Sequence, residues 1–155
     1  MRTGDSIRKY ELVSEVGSGG MGVVWKARDT ELNREVAIKA IHSHLVQNPH
    51  IRARFIDEAR IHARLLHPNI CILFDAFDEN GALYLVMEYI DGVSLADHIE
   101  CDGALQLEQA LEVAKAVLNA LDFIHTNKCV HRDVKPSNIM IVRHGGVKLM
   151  DFGIA

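Results

Sequence analysis

The sequence predicts an α+β chain: a five-stranded antiparallel sheet carrying one helix, then a mainly helical part, with the break near residues 90–93. Three observations predict it. Short β-branched and aromatic runs, separated by polar or glycine turns, dominate the chain as far as Tyr89. One long segment, Leu107 to His125, carries apolar residues at helical spacing. Between them, Asp91-Gly92 marks the change from alternating to helical texture. The expected domains are therefore residues 1–90 and residues 91–155.

Each element has its own reason. Tyr10 to Val16 alternates loosely, Val23-Val24-Trp25 is a strand run, and Val36-Ala37-Ile38 is a third, after the polar turn at residues 29–34. Asn48 is a good N-cap and Pro49 suits the first helical position. Ile51, Phe55, Ile61 and Leu65 can then share an apolar face, and the helix must stop before Pro68. Strands from Cys71 to Phe77 and Leu83 to Tyr89 follow, and Asn80-Gly81 between them is a hairpin signal because both residues tolerate positive φ. In the later part Ala110, Val113, Ala114, Val117, Leu118, Leu121 and Ile124 mark one face of the long helix. Ile139-Met140-Ile141 and Val147-Lys148-Leu149 read as short strands around His144-Gly145-Gly146.

Composition narrows the function. With 48% apolar and 25% charged residues the 155-residue chain is of ordinary globular type. Lys plus Arg number 17 against 21 Asp plus Glu, a net charge of −4, which argues against a nucleic-acid binder working through a broad basic surface. Cys71, Cys101 and Cys129 are an odd, widely spaced set without C-x-x-C, which favours a reducing cytoplasmic compartment over a secreted disulfide framework. No apolar run approaches the roughly 18 residues of a spanning helix, so no membrane segment is expected in this chain.

The motifs point to phosphate chemistry. Gly17-Ser18-Gly19-Gly20-Met21-Gly22 fits G-x-G-x-x-G, where missing Cβ atoms let backbone N–H groups approach phosphate oxygens. Alone, the pattern suits a plain glycine turn equally well. A dinucleotide fingerprint would need a helix next, and Val23-Val24-Trp25 is strand-like. No Lys follows the last glycine, which excludes a G-K-[ST] phosphate loop. Lys39, at the end of Val36-Ala37-Ile38-Lys39, can pair with phosphate if a carboxylate steadies it, and Glu58 on the next helix is the candidate. Taken singly, each reads more readily as a solvated surface residue, Glu58 even more so than Lys39. His131-Arg132-Asp133-Val134-Lys135-Pro136-Ser137-Asn138, followed by Asp151-Phe152-Gly153, is more specific. Asp133 can take a hydroxyl proton, Lys135 can offset charge on a moving phosphoryl group, and Asn138 and Asp151 offer hard oxygen ligands suited to Mg²⁺.

In this order the motifs resemble those of a eukaryotic-type protein kinase, and Gly20-Met21 in the glycine loop resembles the bacterial serine/threonine branch. The resemblance runs from about Tyr10 to Ala155. It implies a protein-kinase-like fold, residues 1–90 being the N-lobe and 91–155 a partial C-lobe, and transfer of the γ-phosphoryl of Mg-ATP to a protein Ser or Thr hydroxyl. It also implies that Gly17, Gly19 and Gly22 cover the ATP phosphates and that Lys39, held by Glu58, contacts the α and β phosphates. Val16, Val24, Ala37 and Met140 would sandwich the adenine, Met87 would guard the back of its pocket, and backbone groups of Glu88 and Ile90 would bond its edge. Asp133 would be the base, Lys135 would assist transfer, and Asn138 and Asp151 would bind metal. Lys135 resembles the serine/threonine pattern, Ile154 leans toward threonine acceptors, and the His-Arg-Asp-x-Lys arrangement disfavours small-molecule kinases of the same fold.

Two departures accompany the resemblance. His62, one turn after Glu58, stands where the family usually packs an apolar residue against the Phe of Asp-Phe-Gly, and is expected to loosen that packing. The chain reads as stopping two residues after Gly153, before the family's activation segment, Ala-Pro-Glu-like anchor and further helices. On that reading the domain is incomplete. The alternative function is then a non-catalytic nucleotide-binding or interaction module, associating with another kinase through the uncovered face of the 107–125 helix. His42, His44 and His50 read as solvated loop histidines, and Asp78-Glu79 as a solvated turn.

Overall fold

The structure, a computed structural model, describes residues 1–151, all but the side chain of Ile51. Two compact units divide the chain: Met1–Ala63 with Leu73–Tyr89, and Arg64–Ile72 with the residues from Ile90 onward.

The first unit is built on one antiparallel sheet. Its strands are β1 (Ser6–Ile7), β2 (Tyr10–Gly19), β3 (Gly22–Asp29), β4 (Arg34–Ile41), β5 (Leu73–Glu79) and β6 (Ala82–Glu88), in the order β1-β2-β3-β4-β6-β5. The expected five strands are thus joined by a two-residue sixth at the edge, where Ser6 pairs with Glu11 and Ile7 with Tyr10. One face of the sheet is an apolar core of Leu12, Trp25, Ala27, Val36, Ile38 and Val86. Tyr10 stacks on Phe77 with ring centroids 6.1 Å apart, and the Arg8 guanidinium caps that Phe77 ring at 3.9 Å. Asn80 and Gly81 both take positive φ, 52° and 79°, as the β5–β6 hairpin requires. The β3–β4 turn is held by the fully buried Asp29, whose Oδ1 accepts from the N–H groups of Glu31 and Leu32 at 3.2 and 3.1 Å. Burial opposes its ionisation. The Leu32 N–H and the Lys9 charge outweigh that penalty and hold the carboxyl below its ordinary range.

Two helices accompany the sheet. α1 (Ser43–Val46) is a single turn, and α2 (Pro49–His62) begins as expected, with the Asn48 side chain accepting from the His50 N–H at 2.9 Å. The buried face of α2 is Phe55, Ala59 and His62, whereas Ile61, expected inside, is exposed. Asp78 and Glu79 are also not a solvated turn. Both lie in β5, where Arg52 of α2 pairs with Asp78 and Arg8 with Glu79 at 3.1 Å.

The second unit holds β7 (Gly92–Ser94), α3 (Leu95–Asp102), α4 (Leu107–Thr126), a 3-10 turn over Pro136–Asn138, β8 (Ile139–Val142) and β9 (Val147–Leu149). The last two strands and β7 form a small antiparallel sheet, β7-β8-β9. Ser94 caps α3, accepting from the Asp97 N–H at 3.0 Å. Arg64–Ile72, placed by chain order with residues 1–90, instead packs here. The Cys71 N–H donates to the Leu149 carbonyl at 2.9 Å, the Leu149 N–H to that of Asn69 at 2.8 Å, and Asn69 Nδ2 to that of Val147 at 2.9 Å. Leu65 and Ile70 thereby join Val113, Ala120, Ile124, Ile139, Val147 and Leu149 in one core. On α4 the buried stripe is Val113, Ala120 and Ile124, with Val117 and Leu121 partly buried. Each large apolar side chain fully buried in this way contributes about 1.5–3 kcal/mol. Ala114 and Leu118, expected on that face, are exposed and line an apolar groove with Leu95, Ile99 and Leu105. The apolar stripe of α4 is wider than the surface that the described residues cover. None of the described helices is long and apolar enough to cross a membrane.

Candidate active site

The expected site residues fall into two groups, one in each unit. In the second unit the loop after α4 brings Asp133, Lys135 and Asn138 together. Lys135 Nζ lies 2.8 Å from Asp133 Oδ2, and Asn138 Nδ2 donates to the same oxygen and to the Asp133 carbonyl, each at 2.9 Å. The Lys135 bond, with help from Asn138, holds the Asp133 carboxyl below its ordinary range against a smaller opposing effect of burial. Both side-chain bonds fall on Oδ2, and none of the described residues bonds Oδ1. The 3-10 turn is what delivers Asn138: Pro136 opens it, and the Asn138 N–H bonds the Lys135 carbonyl at 2.9 Å.

Asp151 is set by the residue before it. The Met150 N–H donates to the Asn138 carbonyl at 2.8 Å, and the Met150 carbonyl accepts from His131 Nε2, also at 2.8 Å. His131 is fully buried, and its Nδ1 accepts from the Asp133 N–H at 3.3 Å. With Nδ1 accepting and Nε2 donating, the ring is neutral, with its proton on Nε2. His131 thus links the loop to the segment entering Asp151, a role that the motif alone did not reveal. Arg132 and Asp151 take φ of 66° and 41°. Such angles are uncommon for residues with side chains, and here they lie on either side of this linkage.

Burial lowers the His131 pKa below 6.5, its ordinary value. The unfolded chain therefore binds more protons here, so the stability that neutral His131 provides is full above pH 6.5 and is lost as pH falls through the lowered value. We expect denaturant midpoints to fall more steeply between pH 7.5 and 5.5 for the parent than for His131→Gln, which keeps a donor and an acceptor but cannot titrate. Parallel midpoint curves would contradict this assignment.

In the first unit Gly17, Val24, Lys39 and Leu85 stand opposite one another across β2, β3, β4 and β6. Residues paired in this way share a face, and Ala37 and Met87 form the next row on it. This face is the one opposite Ile38 and Val86 of the core. Lys39 is only 7% exposed, and Ala37 and Met87 are buried. Val16 is the unpaired residue of a β-bulge between Glu15 and Gly17 and is exposed. Glu88 ends β6 opposite Val36. Glu58 lies on α2, one turn before the buried His62. Ile90 and Met140 belong to the second unit, Ile90 buried and Met140 in β8 opposite Ser94 and Lys148. Phe152, Gly153 and Ile154, and with them the expected contact of His62, lie outside the described residues.

The three motif glycines are not equivalent. A Cβ on Gly17 or Gly19 would meet nothing within 4 Å, as would one on Gly20, whereas a Cβ on Gly22 would lie 2.2 Å from the Ala40 carbonyl oxygen. Gly22 is needed by the sheet itself. Gly17, Gly19 and Gly20 border open space, as a cradle for an external group would. His42, expected to be solvated, places Nε2 3.0 Å from the Gly19 carbonyl oxygen.

A family model of the protein kinase domain matches residues 10–155. Serine/threonine-protein kinase PknB of Mycolicibacterium smegmatis is 45% identical over 151 residues, covering 95% of this chain and 24% of that protein. Serine/threonine-protein kinase PrkC of Bacillus subtilis is 39% identical over 147 residues, covering 95% of this chain and 23% of that protein. The chain thus spans about a quarter of the length of these curated relatives. The crystal structure of the Mycobacterium tuberculosis PknI kinase domain superposes with a TM-score of 0.88 at 30% identity, over 100% of this chain and 64% of that one. With glycine loop, strand lysine and the Asp133 loop on such a fold, the chain belongs to the protein kinase domain family.

Proposed function

We propose that the chain carries the ATP-binding and transfer residues of a serine/threonine protein kinase, moving the γ-phosphoryl of Mg-ATP to a Ser or Thr hydroxyl of a protein. Residues 1–89, less Arg64–Ile72, act as the N-lobe, and the remainder as part of the C-lobe. The observation that carries this reading is the Asp133 carboxylate, engaged by Lys135 and Asn138 on one oxygen and, among the described residues, unbonded on the other. The preference for Ser and Thr rests on Lys135 and on the serine/threonine kinases that the chain resembles.

In this reading Asp133 Oδ1 orients the acceptor hydroxyl and takes its proton. Lys135 moves between Asp133 and the charge developing on the phosphoryl oxygens. Lys39, steadied by Glu58, holds the α and β phosphates beneath the amides of Gly17, Gly19 and Gly22. Val16, Val24, Ala37 and Met140 enclose the adenine, Met87 lies behind it, and the backbones of Glu88 and Ile90 bond its edge. Asn138 and Asp151 hold the metal. With Asn138 Nδ2 turned to Asp133, its Oδ1 is the atom left to ligate. Both donors are hard oxygens, as Mg²⁺ requires, and two protein ligands leave room for phosphate and water. When bound, Mg²⁺ neutralises phosphate charge.

The test is a melt followed by an assay. A cooperative unfolding transition should be stabilised by ATP with Mg²⁺, by about 2.7 kcal/mol at a hundredfold excess over Kd. Label should then pass from the γ position of ATP to a generic protein substrate. Absence of any shift sinks the nucleotide reading, whereas a shift without transfer leaves the nucleotide-binding module.

A further inference from the structure

The glycine loop is closed at its base by the pairing of Gly19 with Gly22, and Gly22 also pairs with Ile41 of β4. It is the turn Gly19-Gly20-Met21-Gly22 between β2 and β3, and neither Gly19 nor Gly20 has anything within 4 Å where a side chain would begin. Such a segment has large conformational freedom to lose when it closes on a ligand. Two further contacts strap it to the end of β4, and both come from His42. The His42 N–H donates to the Met21 carbonyl at 3.0 Å, and His42 Nε2 lies 3.0 Å from the Gly19 carbonyl oxygen. A carbonyl only accepts, so Nε2 carries the hydrogen. His42 precedes α1, yet its side chain makes no capping bond there, and its ring stacks on that of His44 with centroids 5.6 Å apart.

We propose that His42 is a positioning residue of the glycine loop, its imidazole fixing the Gly19–Gly20 peptide so that the loop meets phosphate already shaped. The peptide is trans, so its carbonyl and its N–H point opposite ways. Holding the Gly19 oxygen toward His42 turns the Gly20 N–H to the other side of the loop. With two carbonyls on either side of Gly20 anchored to one residue, the ordering cost that phosphate would otherwise meet is lowered. This inference rests on the nucleotide reading above and adds to it a residue outside the glycine motif.

The substitution His42→Leu removes the ring bond and keeps the backbone bond to Met21. Affinities for Mg-ATP and for adenosine, measured by calorimetry on the intact protein, separate loop positioning from general damage. ATP binding is expected to weaken about fivefold, the equivalent of one hydrogen bond. Adenosine, which has no phosphate for the loop to hold, should bind unchanged. His42→Gln, which restores a side-chain N–H, should recover most of the ATP affinity. Without nucleotide, the Gly20 amide should exchange faster in His42→Leu than in the parent. Equal losses for ATP and adenosine, unchanged ATP affinity, or unchanged exchange at Gly20 would each overturn the proposal while leaving the nucleotide reading intact. Failure of the parent to bind either ligand would overturn that reading, and the proposal with it.

Discussion

Asp133→Asn is expected to lower label transfer from ATP by about 10³-fold, the range for loss of a positioned base. Nucleotide affinity should stay within roughly twofold, since binding energy lost only in the transition state leaves the ground state alone. The amide has nearly the shape of the carboxylate and can still accept from Asn138, so the loop should keep its geometry. Two things change. An amide NH2 group, which donates and cannot take a proton, replaces the oxygen facing the hydroxyl, and Lys135 loses the anion 2.8 Å from its ammonium group. Single-turnover transfer and ATP binding, measured side by side, check this expectation. A variant that transfers within tenfold of the parent would remove Asp133 from the chemistry.

Gly22→Ala and Gly19→Ala are expected to fail in opposite ways. At Gly22 the added carbon would sit 2.2 Å from the Ala40 carbonyl oxygen and 3.0 Å from its carbon, both backbone atoms of the neighbouring strand. They cannot swing aside as a side-chain tip can. The strands must part locally, and stability should fall by about 2–3 kcal/mol whether or not nucleotide is present. At Gly19 the same carbon points into open space, and φ lies outside the left-handed region. Stability should hold within about 0.5 kcal/mol. ATP affinity, by contrast, should drop severalfold, because the methyl group occupies room reserved for phosphate. Denaturant titrations with and without Mg-ATP distinguish the two. If Gly19→Ala unfolds the chain, or if Gly22→Ala spares it, the division between sheet glycine and ligand glycine is wrong.

Features encoded by neighbouring residues were legible in the sequence. Asn48-Pro49 announces the start of α2, Asn80-Gly81 turns its hairpin, and the Asp133 loop carries Lys135 and Asn138 within five residues because one turn must deliver all three. Features set by partners far along the chain were not. Asp78 and Glu79 look like any acidic pair at a turn until Arg8, some 70 residues earlier, reaches them. Arg64–Ile72 follows a helix of the first unit, and its bonds to β9 and its packing with α4 assign it to the second. The α4 stripe could be read as apolar, but not how much of it the described residues would bury. His42 was missed because its partner is a carbonyl, and a backbone acceptor leaves no trace in residue identity.

The bonds between Arg64–Ile72 and β9 also order events during synthesis. Asn69 leaves the ribosome 78 residues ahead of its acceptor, the Val147 carbonyl. At 5–20 residues per second that interval is about 4–16 s, far longer than helices and hairpins need to form. The first unit has its sheet complete once Glu88 has emerged, so it can fold within that delay. Leu65 and Ile70, by contrast, must wait exposed for Val147 and Leu149. The nascent chain therefore carries two apolar side chains without their core for seconds, and this short stretch is where a holding chaperone would find its handle during translation.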